Sequence, residues 1–213
     1  MIRRRKSSII VSIPGEQVRI AAREAIGALA RSDSSVISCL MFLTEQARFC
    51  PKCGSEDLDL KDRKLLDCRS CGLHFYLNSA SAVAGYILDG TDRLLLVRRA
   101  RDPGKGMLSP PGGFLDFGET GEEAVVREIR EETGLDVTIA GYLGSFPNLY
   151  VYRGITYPTL DLFFLCRVAS FDGAVALEEV ESVVVVPWQN VKREEIAFES
   201  MRRAFDQLKS ELS

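Results

Sequence analysis

The sequence predicts an α/β protein in which helices sandwich a sheet, preceded by a small ribbon held by cysteines. Three observations carry that expectation. Two Cys-x-x-Cys pairs, Cys50/Cys53 and Cys68/Cys71, lie fourteen residues apart. From residue 79 onward, apolar runs of strand length alternate with turn signals. Two amphipathic segments, 120–134 and 193–212, carry helical periodicity, and strands and helices mixed in this order pack as layers. The boundaries that follow are an N-terminal extension over 1–46, a ribbon over 47–78 and the α/β domain over 79–213.

Length and composition bound the function classes. A chain of 213 residues can bury one good core and carry a small accessory unit. The net charge of −3 gives no global sign of a nucleic-acid or membrane surface. No apolar run reaches the length of a bilayer span. Of the six cysteines, four fall in the two pairs, while Cys39 and Cys166 stand alone. That pattern reads as metal ligation in a reducing compartment, with the cytoplasm as the default, rather than as a disulfide framework.

Residues 1–46 say least. The start is basic, and Val18, Ile20, Ala21, Ala25, Ile26 and Leu29 can line one helix. The Arg- and Ser-rich opening resembles an organelle targeting segment, although Glu16 and Glu24 interrupt it. The bland alternative, an extension loosely attached to the fold or a true start at Met41, is the better reading.

The ribbon follows. Each Cys-x-x-Cys pair places two thiolates on one knuckle, and Gly54 and Gly72 stand where the backbone must then turn tightly. Four thiolates make a closed tetrahedral site, so Cys50, Cys53, Cys68 and Cys71 point to a structural Zn²⁺ with no open position for water. Basic and acidic residues interleave along the ribbon, so no basic stripe forms. His74, the only histidine, reads as an ordinary strand residue, and with no other histidine in the chain Ser-His-Asp chemistry has no base elsewhere.

Beyond Leu77, the runs 82–88 and 94–99 flank Asp89-Gly-Thr-Asp-Arg93, which reads as a hairpin turn. Residues 102–106 and Pro110-Pro-Gly-Gly113 are loop and turn chemistry. Strands are predicted over 137–139, 142–146, 160–168 and 183–186, with Cys166 a small buried hydrophobe. The C-terminal helix over 193–212 would bury Ile196, Met201, Phe205 and Leu208.

The most informative stretch is 113–135, with seven acids against two arginines. Thr120 and Glu123 form a Thr-x-x-Glu capping box, and Gly134 sits where a left-handed glycine ends a helix. Between them Val125, Val126 and Ile129 form the apolar side. Glu128, Glu131 and Glu132 share one arc, and such like charges repel. A hard divalent cation, Mg²⁺ or Mn²⁺, suits a carboxylate cluster of this kind.

Gly113, Glu119, Arg127-Glu128-Ile129, Glu131-Glu132 and Gly134-Leu135, at these spacings, match the Nudix box at all nine of its specified positions. With the hairpin before and the strands after, residues 81–195 resemble a Nudix hydrolase. The resemblance implies a Nudix α/β/α sandwich and Mg²⁺- or Mn²⁺-dependent cleavage of nucleoside diphosphates linked to another moiety. It implies that Glu128 and Glu132 bind metal, and that Glu131 is a ligand or orients the attacking water. Gly112, just before the box, would offer a carbonyl to the metal. Glu119 and Arg127 would form a structural ion pair. The resemblance also implies a further acid from the segment 177–183, where Glu179 aligns best and Glu178 second.

A zinc ribbon ahead of such a domain also resembles the NADH pyrophosphatase group, which cleaves NADH and can remove NAD caps from RNA. That group carries Ser-Gln-Pro-Trp-Pro-Phe-Pro after the box, whereas this chain has Ser145-Phe-Pro-Asn-Leu-Tyr150 and lacks the tryptophan. Phe146, Tyr150, Tyr152 and Tyr157 are candidates to stack on a base. The partner implied is a small nucleotide such as NADH, ADP-ribose or a similar dinucleotide, with nucleic acid entering only as a capped RNA end and a homodimer open. The competing reading is a non-catalytic module that senses a nucleotide.

Overall fold

The computed structural model describes residues 42–62 and 64–213. The candidate N-terminal helix, Cys39, Met41 and Arg63 lie outside the described residues. A short helix, α1 (Leu43–Gln46), precedes the cysteine region, and Phe42 forms a bridge to Thr156.

The ribbon is a three-stranded antiparallel sheet of β1 (Leu58–Lys61), β2 (Leu65–Cys68) and β3 (His74–Tyr76), in that spatial order. Its two knuckles repeat one geometry. Gly54 N–H donates to the Cys50 carbonyl and Gly72 N–H to the Cys68 carbonyl, both at 2.9 Å, with φ of 73° and 69°. A side chain at either position would strain that turn. His74 bonds through Nδ1 to Asp67, which also binds Lys61, so it ties β3 to β2.

The main sheet has six strands: β4 (Ala80–Leu88), β5 (Arg93–Arg99), β6 (Leu108–Ser109), β7 (Thr138–Tyr152), β8 (Ile155–Arg167) and β9 (Val180–Pro187). Along it the order is β6-β5-β4-β8-β7, with β9 on β5. β4 and β8 run parallel over their full pairing, while β4–β5, β5–β9 and β7–β8 are antiparallel. One helix covers each face. Val83, Ile87, Leu95, Val97, Phe164 and Cys166 pack under α2 (Gly121–Thr133). Their alternates Ala84, Tyr86, Leu88, Leu94, Leu96, Phe163 and Leu165 pack under α3 (Glu199–Leu212). Burial on both faces explains why these strands read as unbroken apolar runs. Gly85 allows the approach of α2, since a Cβ there would lie 2.6 Å from Ile129 Cδ1.

Asp89 fixes the β4–β5 turn. Its Oδ1 accepts from Thr91 N–H, Thr91 Oγ1 and Arg93 N–H, and its Oδ2 from Arg93 Nε, all within 3.0 Å. Burial alone would raise its pKa, but these bonds outweigh burial and bring it down to about 2. The carboxylate therefore stabilises the fold above the ordinary aspartate range, and this contribution fades as pH falls toward 2. Asp89→Ala should cost about 3 kcal/mol in denaturant unfolding at pH 7; a loss under about 0.5 kcal/mol, the usual size for a surface site, would contradict this role.

Three sequence expectations change. The segments 137–139 and 142–146 are one long strand, β7, with register shifts at Ile139/Gly141 and Tyr142/Gly144. β8 begins at Ile155, because Arg153 and Gly154, with φ of 50° and 82°, make a tight two-residue hairpin. The last helix begins at Glu199 rather than 193: Ala197 N–H is bonded to the Leu108 carbonyl, which holds 196–198 extended alongside β6. Ile196 is buried, as expected, but ahead of the helix.

Candidate active site

The cleft exists because β4 and β5 part after two paired positions, Ile87↔Leu95 and Leu88↔Leu94. The segment 111–115 then takes over the vacated edge of β4. Gly85 N–H donates to the Pro111 carbonyl, Val83 N–H to the Gly113 carbonyl, and Leu115 N–H to the Ser81 carbonyl. Only glycine tolerates this approach at 112, where a Cβ would lie 2.1 Å from the Val83 carbonyl oxygen. At 113 a Cβ would meet the Glu128 carboxyl at 2.5 Å. The two glycines thus bring backbone against the acidic face of α2.

That helix has the caps its sequence predicts. Thr120 Oγ1 accepts from Glu123 N–H at 3.2 Å, Glu123 Oε2 accepts from Thr120 N–H at 2.8 Å, and Gly134 ends the helix at φ 71°. Arg127 uses all five of its N–H donors. Nε and Nη2 grip Glu119 at 3.1 and 2.6 Å, and Nη2 also reaches the Phe114 carbonyl at 3.1 Å. Nη1 donates to Glu128 at 2.9 Å and to Glu131 at 3.0 Å. One guanidinium therefore pins the preceding loop to the helix and orients two box glutamates. Arg127 and the Asp116 N–H hold the Glu119 carboxyl below its usual range.

The acids differ in setting. Glu132 lines the cleft, and its Oε2 accepts from Gly112 N–H at 3.0 Å. Burial, reinforced by Glu128 and Glu179 and opposed by that N–H and Arg99, pushes its pKa up to about 8. Glu128, beside Gly113, is raised by burial against the pull of Arg127. Glu131 is half exposed and turned to Arg127. Glu179 lines the same cleft from the loop before β9, at φ 57°, with Arg101 Nη1 on its carboxylate at 2.5 Å. Glu178 does not line the cleft. Glu128 and Glu132, half-buried four residues apart on α2, offer oxygen donors only and suit a hard divalent cation, while of the four predicted acids Glu132 and Glu179 line the cleft and Glu128 and Glu131 do not.

A cleft of about 280 Å³ runs from this acidic end to an aromatic end. Of the sequence candidates, Tyr150 and Tyr152 line it. Phe146 does not: its ring packs on Phe163 in the core, with Arg203 over its face. Tyr157 pairs with Tyr150 in the ladder yet stays outside the lining. The structure adds Arg99, Arg101, Phe114, Phe198, Asn148 and Asp161. Arg98-Arg99 at a strand end just before a Gly-rich turn was a visible hint of an anion site. Phe198 and Asp161 carry no local signal, since each arrives from a distant part of the chain.

The four ribbon sulfurs form the second candidate metal centre. All lie within 4.8 Å of one another, with Cys50–Cys71 and Cys53–Cys68 both at 3.7 Å. A tetrahedron with Zn–S near 2.3 Å has edges of about 3.8 Å, so these residues fit one zinc ion. Cys166 is buried in the main core, which pushes its thiol up to about 12.

Glu132 makes the metal-free protein sensitive to pH in a defined direction. From its ordinary value near 4.5 up to about 8 the folded state holds a proton the unfolded state lacks, so stability falls as pH rises through that window. In chelator, wild type should lose Tm relative to Glu132→Gln between pH 5 and pH 8, and Mg²⁺ should restore it most at the alkaline end. A pH-independent difference would contradict the assignment.

The NUDIX domain profile matches residues 78–208. An ADP-ribose pyrophosphatase of Methanocaldococcus jannaschii is 49% identical over 73 residues, 34% of this chain and 43% of that one. A NAD-capped RNA hydrolase NudC of Pseudomonas aeruginosa is 37% identical over 98 residues, 46% of this chain and 34% of that one. The chain thus spans less than half the length of these curated relatives. A NUDIX hydrolase structure from Nitrosomonas europaea superposes with a TM-score of 0.60 at 24% identity, covering 76% of this chain and 89% of that one. No helix of the described residues is long and apolar enough to cross a membrane. With the box folded as a capped helix against the Gly112–Gly113 turn, and the profile matching more than half of the sequence, the protein belongs to the Nudix family.

Proposed function

We propose that the protein is a metal-dependent pyrophosphohydrolase acting on a nucleoside diphosphate derivative of the NADH or ADP-ribose class. The observation that carries this is one cleft lined by half-buried Glu132, by Glu179, by Arg99 and Arg101 and by an aromatic wall, with the Arg99 guanidinium 5.0 Å over the Phe198 ring. The names of the two curated relatives point to the same substrate class.

Glu128, Glu132 and Glu179 would hold Mg²⁺ or Mn²⁺, with Gly112 beside them and Glu131 available to bind or to orient water. Such a metal neutralises pyrophosphate charge and lowers the pKa of bound water. Arg99 is fixed by its Nε bond to the Pro103 carbonyl at 2.9 Å, so it presents its guanidinium to phosphate with little entropy left to lose. Arg101 is tethered to Glu179 and exchanges that carboxylate for phosphate when substrate enters. Arg127 keeps Glu128 and Glu131 in place. Tyr150, Phe114 and Phe198 form an edge-packed wall, with centroids 5.9 Å apart in both pairs, that receives the base. The thiols of Cys50, Cys53, Cys68 and Cys71 would hold one structural Zn²⁺, which favours a reducing compartment such as the cytoplasm. A capped RNA end enters the same cleft only if its NAD moiety leads.

The test is phosphatase-coupled phosphate release across NADH, ADP-ribose, FAD and nucleoside triphosphates, with Mg²⁺, Mn²⁺ or chelator. Metal-dependent release from a dinucleotide or ADP-ribose supports the proposal. Affinity without release from any of them would make the protein a nucleotide-sensing module.

A further inference from the structure

The aromatic end of the cleft contains a buried acid that the metal chemistry does not use. Asp161, on β8, is 7% exposed and lines the cleft. Its three partners are neutral donors drawn from three places. Thr159 Oγ1 donates to Oδ1 at 2.7 Å, Asn148 Nδ2 to Oδ2 at 3.0 Å, and Ser200 Oγ to Oδ2 at 2.6 Å. β7, β8 and the first turn of α3 therefore fix the carboxylate without neutralising it.

We propose that Asp161 reads the base of the substrate by accepting one hydrogen bond from the exocyclic amino group of an adenine. A carboxylate offers about four lone-pair directions. Oδ2 has both of its directions filled by Asn148 and Ser200, and Oδ1 has one filled by Thr159, which leaves one. A single further donor satisfies the group. The amino group of adenine is such a donor, and a flat ring carrying it can lie against Tyr150, which lines the same cleft, beside the Phe198 ring that Arg99 overlies. The two-donor edge of guanine would need both oxygens, and hypoxanthine puts a carbonyl oxygen where the amino group stood.

This inference rests on the hydrolase reading for its substrate class, but binding tests it without turnover. Dissociation constants for AMP and IMP, measured calorimetrically in Mg²⁺, should differ about 10- to 100-fold in favour of AMP, the effect of one hydrogen bond to a charged group. In Asp161→Asn the ratio should fall toward one, because the amide can donate to the hypoxanthine oxygen. Ser200→Ala removes a tether of α3 but leaves the acceptor, so it should lower Tm and keep the preference. Equal binding of AMP and IMP by wild type, binding of neither, or an undiminished ratio in Asp161→Asn overturns the proposal. If Asp161→Asn does not fold, the wild-type ratio decides. A preference for AMP in a protein that cleaves no dinucleotide would sink the hydrolase reading and leave the base site standing. Cleavage with no base preference would do the reverse.

Discussion

Glu132→Gln and Glu128→Gln should each lower kcat/KM for the cleaved nucleotide by at least about 10²–10³-fold, the loss seen when a group that stabilises transition-state charge is removed. Both carboxyls are half-buried and raised above their usual range, Glu132 to about 8. Glutamine keeps the shape and removes the charge that would bind a cation. In chelator the Glu132→Gln fold should be at least as stable as wild type near pH 8, because a charge that desolvation disfavours has gone. A near-normal rate in both variants would remove these side chains from the reaction. A collapsed Tm would instead show that they hold the fold.

Much of this site was legible in the sequence because its signals are local. The capping box, Gly134 and the i, i+3, i+4 glutamates lie within one helix, and helical periodicity places them without tertiary information. The knuckle glycines and the cysteine spacing are local in the same way. Legibility ended where geometry depends on remote pairing. β7 and β8 contain Pro147 and Pro158, residues that argue against a strand, and their hairpin turns on Arg153-Gly154, which is not a common turn pair. The aromatic end then depended on which alternate residues of that hairpin face α3. Tyr150 faces the cleft, whereas Phe146 on the same side is covered by Phe163 and Arg203. Asp161 meets Ser200 across a sequence separation of 39, and no spacing rule reaches that far.

The second large effect concerns the ribbon. A structural Zn²⁺ in a four-thiolate site contributes folding free energy on the order of 10 kcal/mol, far more than three short strands can supply. Cys68→Ser, at a buried sulfur, should remove the zinc, measured as one ion per chain in wild type by elemental analysis. Amide protection should then vanish over Leu58–Lys61, Leu65–Cys68 and His74–Tyr76. β4, β5 and β8 should keep theirs, since their core is built from other residues. Retained protection in the ribbon without bound metal would show that its hydrogen bonds suffice.

The hydrolase reading has water attack a pyrophosphate bond in the cleft between Glu132 and the aromatic wall. Product identity in ¹⁸O-labelled water tests it most directly. With NADH or ADP-ribose and Mg²⁺, the expected products are AMP plus the second monophosphate, reduced nicotinamide mononucleotide or ribose 5-phosphate, with one heavy oxygen on one of the two phosphates. Release of nicotinamide, or tight binding of both nucleotides with no labelled phosphate formed, would contradict it.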